Sequence, residues 1–266
     1  MYKLIAVDMD GTLLREDRSI SKETVKAIKY AREKGVRVIL ASGRPIDGIR
    51  PYLEKLDLIE SGEYVLSYNG AIVQNIVTGE IVAGYTMKGK DYKRIYEESK
   101  RLSVNIHAFT KEGCITPKLT RYTELEGEIN KIPVKVVPMK DIGDEDTVIK
   151  VMMVDDEKEL DRAIKVLPKE LYDKYTIVRS APFFLEFLHK RSNKGEGIKV
   201  LTELLGIKPE EVICIGDAGN DFHMIEYAGL GVAMGNGSEE IKAVADYITK
   251  SNEENGVAHV INKFIQ

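Results

Sequence analysis

The chain contains few cysteines. Its 266 residues include only Cys114 and Cys214, which are too few for a disulfide framework and lie far apart in the sequence. A nucleophilic cysteine would need a histidine partner, and none of the four histidines has a spacing that pairs it with either thiol. We therefore expect two reduced thiols in a cytoplasmic protein.

A basic excess and long apolar runs are also absent. The chain has 39 lysines and arginines against 43 acidic residues, and its formal net charge of −4 argues against a sequence-independent nucleic-acid surface. No apolar run approaches 18 residues, so no membrane span is predicted. The N-terminus, MYKLIAVDMDG, enters a strand without the basic and apolar regions of a signal sequence. We expect a small-molecule partner, and neither a nucleic acid nor a membrane.

Both ends of the chain alternate strands and helices. KLIAVDM (3–9), VRVILAS (36–42) and EVICIGD (211–217) are apolar runs typical of strands that are buried on both faces. Between the first two, residues 19–35 predict a helix with Ser21 as N-cap and a glycine at the C-terminal end. This pattern predicts an α/β fold with a Rossmann-like, doubly wound parallel sheet. The run AIVQNIVTGEIVAGY adds an antiparallel hairpin.

The middle of the chain has a different pattern. Two predicted helices, at 91–102 and 157–167, stand among several short strand-like runs. We interpret residues 86–186 as an inserted α+β cap domain, and residues 1–85 with 187–266 as the core domain. The cap is expected to close over the site and to contact the substrate.

Polar residues follow the predicted core strands at the edge where parallel sheets bind ligands. Four segments contribute to this edge: Asp8 and Asp10; Ser42, Gly43 and Arg44; Asn193, Lys194 and Gly195; Asp217, Asn220 and Asp221. Several carboxylates at one point require a cation, and a donor set made only of oxygens favours Mg²⁺ over Zn²⁺. The lysine, the hydroxyl and the exposed backbone N–H groups suit a phosphate.

The residue types at this edge suggest a phosphoryl-transfer reaction. Asp8 is a candidate nucleophile that attacks phosphorus and forms an aspartyl phosphate. Asp10 is a candidate acid that protonates the leaving oxygen and then activates water. The metal and Lys194 would offset the charge on the transferred group.

Four of these sequences together resemble the four motifs of the haloacid dehalogenase (HAD) superfamily: DMDGT, Ser-Gly-Arg, the lysine before a helix, and GDAGND. SYNGA (67–71) and SNKGEG (192–197) support a narrower resemblance to its Cof-type phosphatases and, among them, the YidA-like sugar phosphatases. The resemblance implies a HAD-like core with a large cap inserted between the second and third motifs. It also implies hydrolysis of small phosphomonoesters, with sugar phosphates as the expected substrates.

The resemblance also implies a role for each matching residue. Asp8 would be nucleophile and metal ligand, and Asp10 the acid and base, with its backbone carbonyl on the metal. Asp217 would be the third protein ligand of Mg²⁺, and Asp221 would support the metal site. The phosphate would be held by Ser42, the backbones of Gly43 and Met9, Lys194 and Asn220. Ser42 stands where many relatives have threonine, which supplies the same hydroxyl.

Several alternatives stay open at this point. Arg44 would contact the substrate or form a salt bridge between core and cap. Asn69 is interpreted as a turn residue, and a role at the core–cap interface is the minor alternative. His107 and Arg121 are minor candidates for substrate contacts in the cap. A phosphomutase of the same superfamily is one alternative, and its cap would have to hold and reorient a phosphorylated sugar. A non-enzymatic sugar-phosphate sensor is another, although the intact catalytic set argues against it.

Overall fold

The structure, a computed structural model, describes residues 1–59 and 63–266. The described strands are, in chain order, β1 Leu4–Asp8, β2 Arg37–Ala41, β3 Tyr64–Ser67, β4 Ile72–Asn75, β5 Ile81–Gly84, β6 Met87–Lys88, β7 Asn105–Thr110, β8 Gly113–Thr116, β9 Val134–Val136, β10 Thr147–Val148, β11 Lys150–Val154, β12 Tyr175–Ala181, β13 Phe184–His189, β14 Val212–Gly216, β15 Leu230–Ala233 and β16 Tyr247–Ile248. The α-helices are α1 Lys22–Glu33, α2 Ile46–Lys55, α3 Gly89–Leu102, α4 Arg121–Asn130, α5 Glu157–Lys165, α6 Lys169–Lys174, α7 Lys194–Leu205, α8 Phe222–Tyr227, α9 Glu239–Val244 and α10 Gly256–Phe264.

The chain divides into two compact units. The first, here called the core unit, combines Met1–Gly84 with Asn193–Gln266, and the second, the inserted unit, is Tyr85–Ser192. The inserted unit extends past residue 186 because β13 continues to His189, where it still pairs with β12. Each unit has its own hydrophobic core.

The core unit contains an eight-stranded sheet in the order β16-β15-β14-β1-β2-β3-β4-β5. All neighbouring pairs from β16 to β3 are parallel. The last two strands run antiparallel and form the predicted hairpin. The α/β fold with a mostly parallel core sheet is therefore confirmed.

Alternate residues of β1 show how the sheet is covered on both faces. Ile5 and Val7 pack in the cluster that α1, α2 and α10 contribute to, whereas Leu4 and Ala6 pack with side chains of α7 and α8. Helices thus lie on both faces, as the continuous apolar strands predicted.

The first helix illustrates the local signals. The Ser21 side chain accepts a hydrogen bond from the Thr24 backbone N–H at 3.0 Å, which confirms the N-cap. The helix begins at Lys22, directly after this N-cap. It ends before Gly35, whose φ of 81° reverses the chain.

The inserted unit contains a six-stranded mixed sheet and a two-stranded one. The larger sheet has the order β12-β13-β11-β7-β8-β9, and the smaller one pairs β10 with β6. This separate sheet confirms the predicted α+β insertion.

The prediction of two helices in the inserted unit is wrong, since the structure has four. The expected helices are α3 and α5, and the others are α4 and α6. The residues that α4 buries include Thr123, Glu126 and Asn130, so it lacks the apolar periodicity that reveals a helix. The six residues of α6 are too few for such a pattern. Within the described ranges, every helix is too short or too polar to span a bilayer.

Candidate active site

The carboxyl ends of the central core strands gather the acidic residues. Asp8 ends β1, and Asp217 directly follows β14, the strand paired with β1. Asp221 lies in a short turn of 3₁₀ helix after Asp217. Each of the three carboxylates has an oxygen within 4.8 Å of an oxygen of the other two. Parallel strand ends thus produce the acidic cluster that the spacing predicted.

Lys194 is buried within this cluster. It is the first residue of α7, and its N-cap is Asn193, whose side chain accepts a hydrogen bond from the Glu196 N–H at 2.8 Å. Lys194 Nζ donates to Asp221 Oδ1 at 2.6 Å and also to Asp8 Oδ1. The lysine side chain is fully buried, so two carboxylates replace the water that would otherwise solvate it.

The cluster has more negative than positive charge. Burial, followed by the charge of Asp221, raises the pKa of Asp8 well above its usual value, although Lys194 opposes the shift. Burial also raises the pKa of Asp217. Burial by itself would lower the pKa of Lys194, but Asp221 and Asp8 raise it instead. Three carboxylates around one ammonium would be neutralised by a divalent cation, and their oxygens suit a hard one.

The turn after β1 contacts the side chain of Asp217. Thr12 Oγ1 donates to Asp217 Oδ1 at 2.7 Å. Gly11 has a φ of 83°, and a Cβ on it would collide with the Asp217 carboxylate. The glycine and threonine of DMDGT therefore fix the position of the Asp217 carboxylate, which follows β14.

Asp221 is fixed from two sides. Its Oδ2 accepts hydrogen bonds from the backbone N–H groups of Asp217, at 2.9 Å, and Ala218, at 3.1 Å. With Oδ1 bound to Lys194, both of its oxygens have partners within the protein. This arrangement suits the supporting role expected for Asp221.

The Asp10 side chain lies outside the three-carboxylate cluster. Arg44 Nε donates to Asp10 Oδ2 at 2.8 Å, and Arg44 Nη2 pairs with Oδ1. The Asp10 side chain is 59% exposed, whereas that of Arg44 is 20% exposed and lies over the ring of Tyr52. Arg44 therefore forms an ion pair within the core unit. Its partner, Asp10, is the residue predicted to transfer the proton.

The predicted phosphate-binding residues lie on four separate segments of the core unit, one of which is the start of α7 with Lys194. Ser42 is buried directly after β2, and its Oγ accepts from the Arg44 backbone N–H at 3.2 Å. Asn220 Nδ2 donates to Asn69 Oδ1 at 3.0 Å. Met9 is buried, and its carbonyl accepts from the Leu14 N–H at 2.8 Å, which folds the segment after β1 back on itself.

The family follows from comparison with known proteins. A family model described as haloacid dehalogenase-like hydrolase matches residues 5–261. The chain belongs to the haloacid dehalogenase-like hydrolases. It is 42% identical to "Putative phosphatase YxeH" of Bacillus subtilis, over 100% of this chain and 99% of the relative. It is also 31% identical to the B. subtilis 5-amino-6-(5-phospho-D-ribitylamino)uracil phosphatase YcsE, over 99% and 96% of the two chains.

Solved structures agree with this family. A haloacid dehalogenase-like hydrolase from Bacteroides thetaiotaomicron superposes with a TM-score of 0.88 at 35% identity, covering 100% of both chains. A protein described as a HAD subclass IIB sugar phosphatase superposes with a TM-score of 0.81 at 26% identity, covering 98% of both. The predicted superfamily is thus confirmed.

Two residues of this HAD site were not predicted from the sequence. Thr12, the threonine of DMDGT, holds Asp217 through its hydroxyl group. Asn69 is predicted to be a turn residue, with a role between core and cap as the alternative, but its side chain binds Asn220, which is 151 residues away in the sequence. No local pattern reveals such long-range partners.

The remaining candidates are not members of the carboxylate cluster. His107 is buried in the inserted unit between Thr123 and Met152, and burial lowers its pKa to about 3. Arg121 is exposed and pairs with Asp156. Both cysteines are buried and unpaired, and burial raises the pKa of Cys114 to about 12, which makes it a poor nucleophile.

Proposed function

We propose that this protein is a Mg²⁺-dependent phosphomonoesterase that hydrolyses small sugar phosphates through an aspartyl phosphate on Asp8. The supporting observation is the cluster of Asp8, Asp217 and Asp221 around the buried Lys194. A buried nucleophile beside a fixed ammonium, with excess negative charge for a hard cation, suits phosphoryl transfer.

The first half of the reaction would form the aspartyl phosphate. A carboxylate oxygen of Asp8 attacks phosphorus, and the bond from phosphorus to the alcohol oxygen of the substrate breaks. Protonated Asp10 donates its proton to that oxygen, so the alcohol leaves in its neutral form. Lys194, already bound to Asp8, aligns the nucleophile and offsets charge on the transferred group.

The second half would release inorganic phosphate. Asp10, now a carboxylate, takes a proton from water while the water oxygen attacks phosphorus. The bond between phosphorus and the Asp8 oxygen breaks, which restores the Asp8 carboxylate. Asp10 is protonated again and ready for the next substrate.

Other residues would hold the metal and the phosphate. Asp8, Asp217 and the Asp10 carbonyl are the proposed metal ligands, with Asp221 in support. When bound, Mg²⁺ supplies neutralisation of negative charge at the phosphoryl oxygens. The proposed phosphate ligands are the Ser42 hydroxyl, the Gly43 and Met9 backbones, Lys194 and the Asn220 amide.

The substrate class draws on two relatives. One structural relative is described as a sugar phosphatase, and YcsE is named for a phosphorylated ribitylamino compound. In both descriptions the phosphate belongs to a sugar or to a sugar-derived polyol. We therefore propose phosphorylated sugars and polyols as the first substrates to test.

Purified protein should be tested against phosphorylated sugars, polyols, nucleotides, pyridoxal phosphate and flavin mononucleotide, with Mg²⁺ or with excess chelator. We expect inorganic phosphate from the sugar or polyol esters, and only with Mg²⁺. An isomeric sugar phosphate as product would indicate a mutase, and binding without turnover would indicate a sensor. Full activity in chelator would contradict the metal assignment.

A further inference from the structure

The turn at residues 68–70, which follows β3, has an unusual backbone. Tyr68, Asn69 and Gly70 have φ angles of 51°, 56° and 82°, so three successive residues occupy the left-handed region. This conformation costs about 1–2 kcal/mol for an ordinary L-residue, less for asparagine, and little for glycine. Such a turn persists only where its surroundings compensate for the strain.

The backbone of this turn holds the segment after β2. The Tyr68 N–H donates to the Arg44 carbonyl at 3.1 Å, and the Asn69 N–H donates to the Ser42 carbonyl at 2.9 Å. The turn therefore fixes both ends of the Ser-Gly-Arg motif, whose Ser42 and Gly43 are proposed to bind phosphate.

The Asn69 side chain connects this motif to Asn220. Its Oδ1 accepts the hydrogen bond from Asn220 Nδ2 at 3.0 Å. The same amide covers Gly43, because a Cβ built on that glycine would lie 3.2 Å from Asn69 Oδ1 and Nδ2. Only 6% of Asn69 is exposed, so little of the amide is open to water.

Gly70 brings the turn against the start of α7. A Cβ on Gly70 would collide with the carbonyl of Asn193 and lie 3.2 Å from the Lys194 Cα. The turn therefore contacts three of the segments that contribute to the site: the segment after β2, the start of α7, and the 3₁₀ turn that carries Asn220.

We propose that Asn69 is a positioning residue that orients the Asn220 amide relative to Ser42 and Gly43, so that the phosphate-binding groups converge on one anion. This inference rests on the proposed function, because it requires those residues to bind phosphate. Asn69 acts through Asn220. One Nδ2 hydrogen of Asn220 bonds to Asn69, and the second is left for the phosphate.

A purely conformational role predicts a different outcome, because asparagine also tolerates the left-handed region. Asn69→Gly separates the two roles. It keeps the backbone geometry and the N–H bond to Ser42 but removes the amide that holds Asn220. If Asn69 serves only the turn, the variant should bind phosphate as the wild type does.

The test measures the Kd of inorganic phosphate by calorimetry in the presence of Mg²⁺. The proteins are wild type, Asn69→Gly, Asn220→Ala and the double variant. We expect Asn69→Gly to raise the Kd by about 5- to 10-fold, as the loss of one well-placed hydrogen bond does. In the Asn220→Ala background, Asn69→Gly should not raise the Kd further, because the Asn220 amide that Asn69 positions is already absent.

Asn255→Gly is the matched control. Asn255 also has a left-handed backbone, with a φ of 63°, and its Oδ1 accepts a hydrogen bond from Arg15. We expect Asn255→Gly to bind inorganic phosphate with the same Kd as the wild-type protein. Circular dichroism and melting curves should show that all variants are folded.

Two results would overturn the proposal: wild-type affinity in either single variant, or effects of the two changes that multiply in full. If the proposed function itself is wrong, the experiments should give a different result. In that case the wild-type protein itself would neither bind inorganic phosphate nor release it from p-nitrophenyl phosphate.

Discussion

Each unit buries a lysine among carboxylates, but the two lysines occupy different kinds of position. Lys194 opens α7 beside the ends of two parallel strands. Lys150 opens β11 within the mixed sheet, with its Nζ 3.2 Å from Glu186 and 4.0 Å from Glu126. Its ammonium also lies over the Phe109 ring, 4.6 Å from the centroid.

The charge balance of the two clusters is the reason that we propose catalysis at only one of them. In the inserted unit two carboxylates share one ammonium, and burial raises the pKa of Glu126 even though Lys150 opposes the shift. Uptake of one proton by Glu126 would leave a neutral cluster. In the core unit three carboxylates share one ammonium, so uptake of a single proton would still leave this cluster with a net negative charge. A buried lysine therefore indicates a reactive site only when the carboxylates around it remain in excess.

Asp8→Asn should have the largest effect. We expect phosphatase activity to fall by at least about 10⁴-fold, equivalent to ~5.5 kcal/mol, because an amide cannot act as the nucleophile. The melting temperature should not fall, since one of three mutually repelling carboxylates is removed. Turnover assays with Mg²⁺ and melting curves measure the two effects.

The control for this variant is Asp173→Asn, which changes an exposed carboxylate on α6. Its activity should match that of wild type. Activity of Asp8→Asn close to wild type would exclude the aspartyl-phosphate mechanism.

Lys150→Met should chiefly affect stability. Removing the ammonium leaves two buried carboxylates without their counter-charge, so the unfolding free energy should fall by about 3–5 kcal/mol. Urea denaturation measures the change. The exposed Lys158→Met on α5 is the control and should stay within about 0.5 kcal/mol of wild type. If the midpoint of urea denaturation were the same for Lys150→Met and wild type, Lys150 would not have the stabilising role that distinguishes its cluster from that of Lys194.

Magnesium should distinguish the two clusters directly. At about 100 times its Kd, Mg²⁺ should stabilise the wild-type protein by about 2.7 kcal/mol in a thermal melt. Asp217→Asn should lose most of this gain, because it removes a proposed ligand. Lys150→Met should keep it. A gain in Asp217→Asn as large as that of wild type would contradict the metal site.

The smallest expected effect, counted per pH unit, is the acid response of the inserted unit. Burial, followed by the charge of Lys150, lowers the pKa of His107 from 6.5 to about 3. Below pH 6.5 the unfolded chain binds a proton that the folded chain does not, so stability falls as the pH falls. The expected slope is about 1.4 kcal/mol per pH unit between pH 6 and pH 4.

His107→Gln should reduce this slope, as measured by urea denaturation at several pH values. Comparing the two proteins at each pH cancels the titration of Glu126, which has the opposite sign. Parallel pH profiles for the two proteins would show that His107 does not cause the acid response.

Much of the core unit could be predicted from the sequence. Its strands are continuous apolar runs, and Ser21 and Gly35 mark the ends of α1. The acidic cluster was also predictable, because parallel strand ends meet at one edge. In the inserted unit α4 could not be predicted, since it buries polar side chains.

The partners of individual side chains were harder to predict. The pair of Asp10 with Arg44 and the bond between Asn69 and Asn220 join residues from different segments. Such contacts depend on packing in three dimensions, which no spacing along the chain encodes. His107 likewise could not be assigned to the interior, because a single histidine in a strand gives no sign of its burial.

The discontinuity of the core unit has a consequence for synthesis. Asp8 and its partner Lys194 are 186 residues apart, so a ribosome adding roughly 5–20 residues per second needs about 10–40 s between them. During that time the nascent chain carries the proposed nucleophile without the ammonium, Asp217 or Asp221. The inserted unit is contiguous and can fold while the rest of the chain is still being made. The proposed site can assemble only after the last of its segments has emerged, so a chain that ends before Asp221 lacks part of the proposed catalytic centre.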